Sequence, residues 1–243
     1  MMTMRTLKTA AAAIAGALTL ITAPTASASP PLPPTRDLAP GIPIVTTNAA
    51  ADDGGTCTAG WLVHTPEGRQ GFLTAGHCDR GGAAWYNTAA GQFEALGAFT
   101  RTVHGDTAED SDIALVELTG TAPSNSSIID IRPVTGAANA LRVSVGDTLC
   151  KYGATTRLQC GAVSYVSPTQ VVFGADTEGG DSGGPVYLRH ADGSATAIGI
   201  TIRANDSGTV AEFITPWLKK WDLSLDKTRI GPAPLPARYH GGR

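Results

Sequence analysis

Residues 178–185 read Glu-Gly-Gly-Asp-Ser-Gly-Gly-Pro, so that Gly180, Gly183 and Gly184 lie within a few positions of Ser182. Glycine adopts backbone angles that other residues avoid, and such a run indicates a sharp turn or a close approach of the main chain. A turn here would expose the Ser182 hydroxyl and aim the N–H groups of Gly180 and Ser182 at one point, as an oxyanion requires. The alternative is a glycine-rich surface loop with an incidental serine.

Two further stretches favour the catalytic interpretation: Thr-Ala-Gly-His-Cys at 74–78 and Asp-Ile-Ala-Leu at 112–115. A serine hydroxyl needs a base to act as a nucleophile at neutral pH, and histidine suits that role. The histidine needs a buried carboxylate that fixes its tautomer. We therefore predict that His77, Asp112 and Ser182 form a catalytic triad, with Gly180 and Ser182 as the oxyanion hole.

The competing candidates lack one part of this pattern. Only Asp112 directly precedes an apolar strand and can be buried, whereas a solvated acidic loop is the alternative for this whole region. A structural core histidine is the alternative for His77. The other acids and histidines are expected to be solvated: Asp106, Glu109, Asp110, His64, His104, His190 and His240.

The chain order His, Asp, Ser and the two glycine-containing blocks resemble the chymotrypsin/trypsin-like serine peptidase family, in its secreted bacterial, streptogrisin-like branch. The resemblance runs from about residue 44 to 217. It implies an all-β fold of two antiparallel six-stranded β-barrels, packed face to face, with His77 and Asp112 in the first and Ser182 in the second. It also implies hydrolysis of peptide bonds through an acyl-enzyme.

Composition and the first residues set the class of protein. The chain has 243 residues, of which 42% are hydrophobic and 16% charged, and its net charge of −3 argues against nucleic-acid binding. A positive start, a short apolar run and Ala-Ser-Ala at 26–28 predict a secretion signal over 1–28. A retained membrane anchor is the alternative, although the run is short for a span. We expect an extracellular monomer that acts on protein or peptide substrates without a cofactor.

Four cysteines in an exported chain indicate two disulfides, for which three pairings are possible. The resemblance implies the local pairing, Cys57 with Cys78 and Cys150 with Cys160. The rival interpretation is a metal site formed by Cys57, His77 and Cys78, but adjacent ligands suit a tetrahedral zinc site poorly. We therefore predict no metal.

Pattern and composition divide the chain into segments. Residues 29–43 are proline-rich and predict a linker. The peptidase domain is expected over 44–224, with its first barrel at about 44–121, its second at about 130–214 and a C-terminal helix at about 216–223. Alternation predicts short strands throughout, including one at 141–145. Residues 225–243 are expected to form a flexible tail.

Some features depart from the family pattern. No free amino terminus of the usual kind is expected at Ile44 to pair with Asp181, and Arg132 and Arg142 are the candidate replacements. The cysteine usually found shortly before the nucleophile is absent.

The resemblance also implies a substrate pocket beside Ser182. Counting back from Ser182 reaches Asp176, which predicts a preference for basic side chains, although a count with the bacterial members places Asp176 outside the pocket. The resemblance implies that Thr201, Ile202 and Arg203 form part of the pocket wall, where Arg203 either narrows or charges the pocket or points to solvent. An inactive scaffold that acts as a binding module, and an esterase, are the alternatives to a peptidase.

Overall fold

Fifteen strands and one helix account for most of the regular structure in a computed structural model that describes residues 37–120 and 122–228. The strands of the first half are β1 (Pro43–Asn48), β2 (Gly54–Thr58), β3 (Leu62–His64), β4 (Gln70–Thr74), β5 (Gly81–Asn87), β6 (Phe93–His104) and β7 (Asp112–Leu118). Those of the second half are β8 (Val134–Ala137), β9 (Thr148–Gly153), β10 (Arg157–Val166), β11 (Gln170–Phe173), β12 (Pro185–Arg189), β13 (Ala195–Asn205) and β14 (Gly208–Phe213). Helix α1 (Thr215–Lys220) and β15 (Ser224–Leu225) follow.

The first sheet has the order β15-β3-β4-β7-β6-β5-β1-β2. Strands β2 and β3 are two halves of one bent strand, because Gly60 N donates to Leu73 O and Leu73 N donates to Trp61 O across the bend. Gly60 is required there, since a Cβ would stand 2.4 Å from Leu73 O and 2.6 Å from Gly183 O. The bent strand therefore pairs with β1 on one side and β4 on the other, and the sheet closes into a six-stranded barrel.

The second sheet closes directly. Its order is β12-β9-β10-β11-β14-β13, and β12 also pairs with β13, which completes a six-stranded antiparallel barrel. Strand β8 adds to β13 in parallel on the outside. One buried core is shared by the two barrels, and in it Trp61 of the first donates its indole N–H to Gly199 O of the second at 2.7 Å. A second buried cluster, which includes Phe173 and Phe213, belongs to the second barrel alone. The predicted pair of antiparallel six-stranded barrels with a short C-terminal helix is confirmed.

The predicted segment boundaries need correction at both ends of the domain. Leu38, Ala39 and Ile42 are buried in the shared core, so that the described part of the predicted linker is core. At the other end Leu225 belongs to β15 rather than to a tail, and α1 ends at Lys220. The predicted secretion signal, 1–28, and residues 229–243 lie outside the described residues.

The predicted strand at 141–145 is wrong. Residues Ala140–Arg142 form a short 3-10 helix, and Leu141 is 91% exposed. No helix in the described part of the chain is long and apolar enough to cross a membrane.

Candidate active site

The turn that carries Ser182 is held from the first barrel. Gly180 and Gly183 have φ angles of +99° and +87°, and a Cβ on Gly183 would meet Thr74 Oγ1 at 2.0 Å. The buried Thr58 binds both neighbouring carbonyls: its hydroxyl donates to Gly180 O at 2.7 Å and its N–H donates to Ser182 O at 2.8 Å. No described residue accepts a hydrogen bond from the N–H of Gly180 or of Ser182.

His77 sits in a single 3-10 turn, Gly76–Cys78, that follows β4. Gly76 allows this turn to approach β6, because a Cβ there would stand 2.2 Å from Val103 O. The Cys57–Cys78 disulfide fastens the end of the turn to β2, and the second disulfide joins Cys150 and Cys160 across β9 and β10. These are the pairs that the resemblance implies. They leave Cys57 and Cys78 without a free thiolate for a metal.

The structure brings His77, Asp112 and Ser182 together. His77 Nε2 lies 2.8 Å from Ser182 Oγ, and His77 Nδ1 lies 2.7 Å from Asp112 Oδ2. The N–H of His77 also donates to Asp112 Oδ1 at 2.8 Å. Because Asp112 accepts at Nδ1, the neutral imidazole carries its proton there and presents a lone pair at Nε2 to the serine hydroxyl.

The charge of Asp112 is maintained by its neighbours. Burial of the side chain, which is 8% exposed, opposes ionisation, but hydrogen bonds and charge from His77 outweigh burial and hold the pKa of Asp112 below its usual value. A second imidazole is close, because His104 Nδ1 lies 3.3 Å from Asp112 Oδ1. His104 is exposed to solvent, as expected, with 46% of its side chain accessible, but it also contacts the Asp112 carboxylate.

Asp181, next to the nucleophile, is fully buried and pairs with Lys151, whose Nζ lies 2.7 Å from Asp181 Oδ2. Burial would raise the pKa of this carboxyl, but hydrogen bonds from Lys151, Thr156 and the Glu178 N–H hold it below its usual value. The candidates Arg132 and Arg142 are not the partner. Arg132 donates to Gly193 O, and Arg142 is exposed.

The sequence carried a signal for this pair that was missed. Lys151 is a lysine in the middle of β9, a strand whose central residues are all buried. A lysine is almost never fully buried unless it is paired.

A cavity of about 320 Å³ lies beside Ser182. Its walls include Thr201, Ile202 and Arg203, together with Thr177, Glu178 and Gly179. Asp176 does not line this cavity; its side chain is exposed. The predicted preference for basic side chains therefore has no structural basis in Asp176.

The side chains of Arg203 and Thr201 differ in their hydrogen bonding. Arg203 is half-buried and donates to Gln170 Oε1 at 2.9 Å, so it narrows the cavity rather than pointing to solvent. The buried Thr201 hydroxyl has no hydrogen-bond partner among the described residues.

A buried carboxyl group lies in β14 of the second barrel. Glu212 is fully buried and accepts a hydrogen bond from the Trp217 indole N–H at 2.8 Å. Burial raises the pKa of Glu212, and the hydrogen bond from Trp217 only partly opposes this rise.

Comparison with known proteins identifies the family of this chain. The family model described as Trypsin matches residues 48–217. Serine protease 2 of Streptomyces fradiae is 31% identical over 166 residues, which cover 62% of this chain and 88% of that protein. An uncharacterized protein of Mycobacterium tuberculosis is 32% identical over 187 residues, which cover 72% of this chain and 76% of that protein.

A solved structure is also similar to this chain. Thermobifida fusca protease A matches with a TM-score of 0.56 and 27% identity, covering 79% of this chain and all of that one. The chain therefore belongs to the trypsin family, in its streptogrisin-like bacterial branch, and is a serine-type endopeptidase.

Proposed function

We propose that this peptidase cleaves peptide bonds through Ser182 as nucleophile, His77 as general base and Asp112 as the carboxylate that orients the base. The observation that carries the proposal is the unbroken series of contacts from Asp112 Oδ2 to His77 Nδ1, at 2.7 Å, and from His77 Nε2 to Ser182 Oγ, at 2.8 Å. Both distances lie within hydrogen-bond reach, as proton transfer requires.

The reaction follows from these positions. Ser182 Oγ attacks the carbonyl carbon of the substrate while its proton moves to His77 Nε2. The carbonyl oxygen becomes an oxyanion and receives the N–H groups of Gly180 and Ser182, each worth about 3–4 kcal/mol in the transition state. Collapse breaks the C–N bond, and Nε2 returns the proton to the leaving amine. Water then hydrolyses the acyl-enzyme by the same steps, with His77 again taking the proton.

Two features support an oxyanion hole that forms without cleavage of the chain at Ile44. The N–H groups of Gly180 and Ser182 share their peptide units with the carbonyls of Gly179 and Asp181, and these carbonyls are held by hydrogen bonds from Thr155 Oγ1 and from the Gly184 N–H. Lys151 supplies the cation that Asp181 needs when buried. Ile44 is itself buried within β1 and paired with Cys57 in β2, so it is not the partner of Asp181.

We further propose that the protein is secreted and acts as a monomer on protein or peptide substrates without a cofactor. Support for secretion comes from the signal-like residues 1–28 and from the two disulfides, which persist in oxidising compartments. The second candidate, an inactive scaffold that binds a partner, is favoured by one observation only. Arg203 fills part of the cavity beside Ser182.

A fluorophosphonate probe distinguishes the two candidates, because it reacts only with an activated serine. We expect one label per molecule, mapped to Ser182 by mass spectrometry, and a labelling rate that increases as pH is raised across the range in which imidazole loses its proton. Ser182→Ala and His77→Ala should abolish labelling, whereas Ser207→Ala, which alters an exposed serine, should not. A folded protein that does not react, or that reacts equally well as Ser182→Ala, would favour the scaffold.

A further inference from the structure

Two imidazoles flank the Asp112 carboxylate, one at each oxygen. His104 ends β6 and lies opposite Asp112 in the register with β7. Its Nδ1 is 3.3 Å from Asp112 Oδ1, while His77 Nδ1 is 2.7 Å from Oδ2. One ligand atom from each of the three residues lies within 4.8 Å of the other two.

Two imidazoles and a carboxylate form a donor set that zinc accepts, with a fourth position left for water. Zinc–ligand distances of about 2.0–2.2 Å place the ligand atoms of a tetrahedron roughly 3.3 Å apart. His77 Nδ1 and Asp112 Oδ2, which are 2.7 Å apart, must therefore separate slightly, and the two rings must approach each other. His104 can make this adjustment, because its side chain is 46% exposed and its ring centre is 5.9 Å from that of His77.

The surroundings of the three residues admit a cation. They line a cavity of about 350 Å³ that also contains the carboxylates of Asp106 and Asp110. Arg203 also lines this cavity and its positive charge opposes a cation, but it faces the three carboxylates of Asp106, Asp110 and Asp112. Carboxylates around a cleft raise the local concentration of cations.

We propose that Zn²⁺ binds His77, His104 and Asp112 and thereby reversibly inhibits the peptidase. This inference rests on the proposed role of His77 as the base. A neutral imidazole that coordinates zinc through Nδ1 must carry its proton on Nε2. That nitrogen then has no lone pair to accept the proton of Ser182. Zinc also takes the Asp112 carboxylate that orients the ring, so the nucleophile stays protonated while the metal is bound.

The binding step is tested on Ser182→Ala, which cannot digest itself, by calorimetric titration with ZnCl₂. We expect one high-affinity site per molecule. Adding His104→Gln or His104→Ala should weaken binding by roughly a hundredfold, since loss of an outer-shell partner alone already costs 10–100-fold. His190→Gln, which removes an exposed imidazole remote from the triad, is the matched control and should not change binding.

The functional step is tested on the protein with Ser182 intact, by fluorophosphonate labelling with and without ZnCl₂. Each variant is compared with its own rate in EDTA. We expect zinc to slow labelling, EDTA to restore it, and His104→Gln to need roughly a hundredfold more zinc for half inhibition. No zinc binding, or the same inhibition in His104→Gln, would overturn the proposal. Failure to label without zinc refutes the proposed function instead, and the calorimetry still tests the site.

Discussion

Replacement of Lys151 by methionine tests the ion pair beneath the nucleophile. Both side chains of the pair are fully buried, and Lys151 Nζ also donates to Thr156 Oγ1 at 2.6 Å. Removing one partner leaves the Asp181 carboxylate buried without a counter-charge, which typically costs about 3–5 kcal/mol of folding free energy. Because proteins of this kind have about 5–15 kcal/mol in total, Lys151→Met should remain folded but unfold at clearly lower urea concentration.

The same substitution should impair the active site. Asp181 connects Gly180 to Ser182, and its carboxylate is anchored by the N–H groups of Thr155, Thr156 and Glu178 as well as by Lys151. A displaced Asp181 reorients the Asp181–Ser182 peptide unit and with it the Ser182 N–H, and loss of one such donor costs about 10²–10³ in rate. We therefore expect fluorophosphonate labelling of Ser182 to slow at least about a hundredfold.

The loss of stability in Lys151→Met should depend on pH. In the wild-type protein the pKa of Asp181 is lowered, so its contribution to stability is present above the pKa of an unfolded aspartate and is lost as pH falls. Without Lys151 the buried carboxyl is expected to hold a proton instead, so the variant should be more severely destabilised at pH 8 than at pH 5.

Urea unfolding followed by tryptophan fluorescence measures the stability, with Arg142→Met as the control. Arg142 is exposed, and its loss should change the free energy of unfolding by no more than about 0.5 kcal/mol. If Lys151→Met matches that control in both stability and labelling rate, the buried pair does not support the oxyanion hole and the reasoning fails.

Three other groups of side chains give predictions. Because the pKa of Glu212 is raised, its contribution to stability is complete below the pKa of an unfolded glutamate and is lost as pH rises. Glu212→Gln should therefore stabilise the protein at pH 8 but not at pH 4. An increase in the free energy of urea unfolding that does not depend on pH would contradict this. Arg203→Ala opens the cavity and removes its positive charge, so kcat/KM should rise about fivefold for peptides with phenylalanine relative to those with glutamate, or about 1 kcal/mol; an unchanged ratio would mean that Arg203 does not contact substrate. Replacing Cys57 and Cys78 by serine opens a loop of sequence separation 21 and should lower the unfolding free energy by about 3 kcal/mol and slow labelling of Ser182, whereas the same change at the second disulfide should affect stability alone.

Local patterns in the sequence predicted short strands in two similar halves and the candidate residues His77, Asp112 and Ser182, whereas the two six-stranded barrels were implied by the family resemblance. Alternating residues indicate strands, short glycine-containing blocks surround His77 and Ser182, and Asp112 directly precedes an apolar strand. The two local disulfides followed from the resemblance in the same way.

What could not be predicted depends on contacts between distant strands. Lys151 and Asp181 are 30 positions apart, so a lysine inside an apolar strand indicates that it is paired but does not identify Asp181 as its partner. Thr58 holds the Ser182 turn from a separation of more than 100 positions, and a buried threonine in a strand gives no signal of this role. The strand predicted at 141–145 failed because its apolar Leu141 and Val145 face solvent, so their alternation reflects no buried face.

The short strand β15 determines when the first barrel can finish folding during translation. β15 covers β3 in the first barrel, Asp226 bonds His64 there, and Thr228 receives the Val134 N–H of the second barrel. Strand β3 of the first barrel therefore has no partner on its outer edge until residues 224–228 have left the ribosome. A nascent chain that holds these residues inside the exit tunnel should remain more sensitive to proteases at β3 than the released protein.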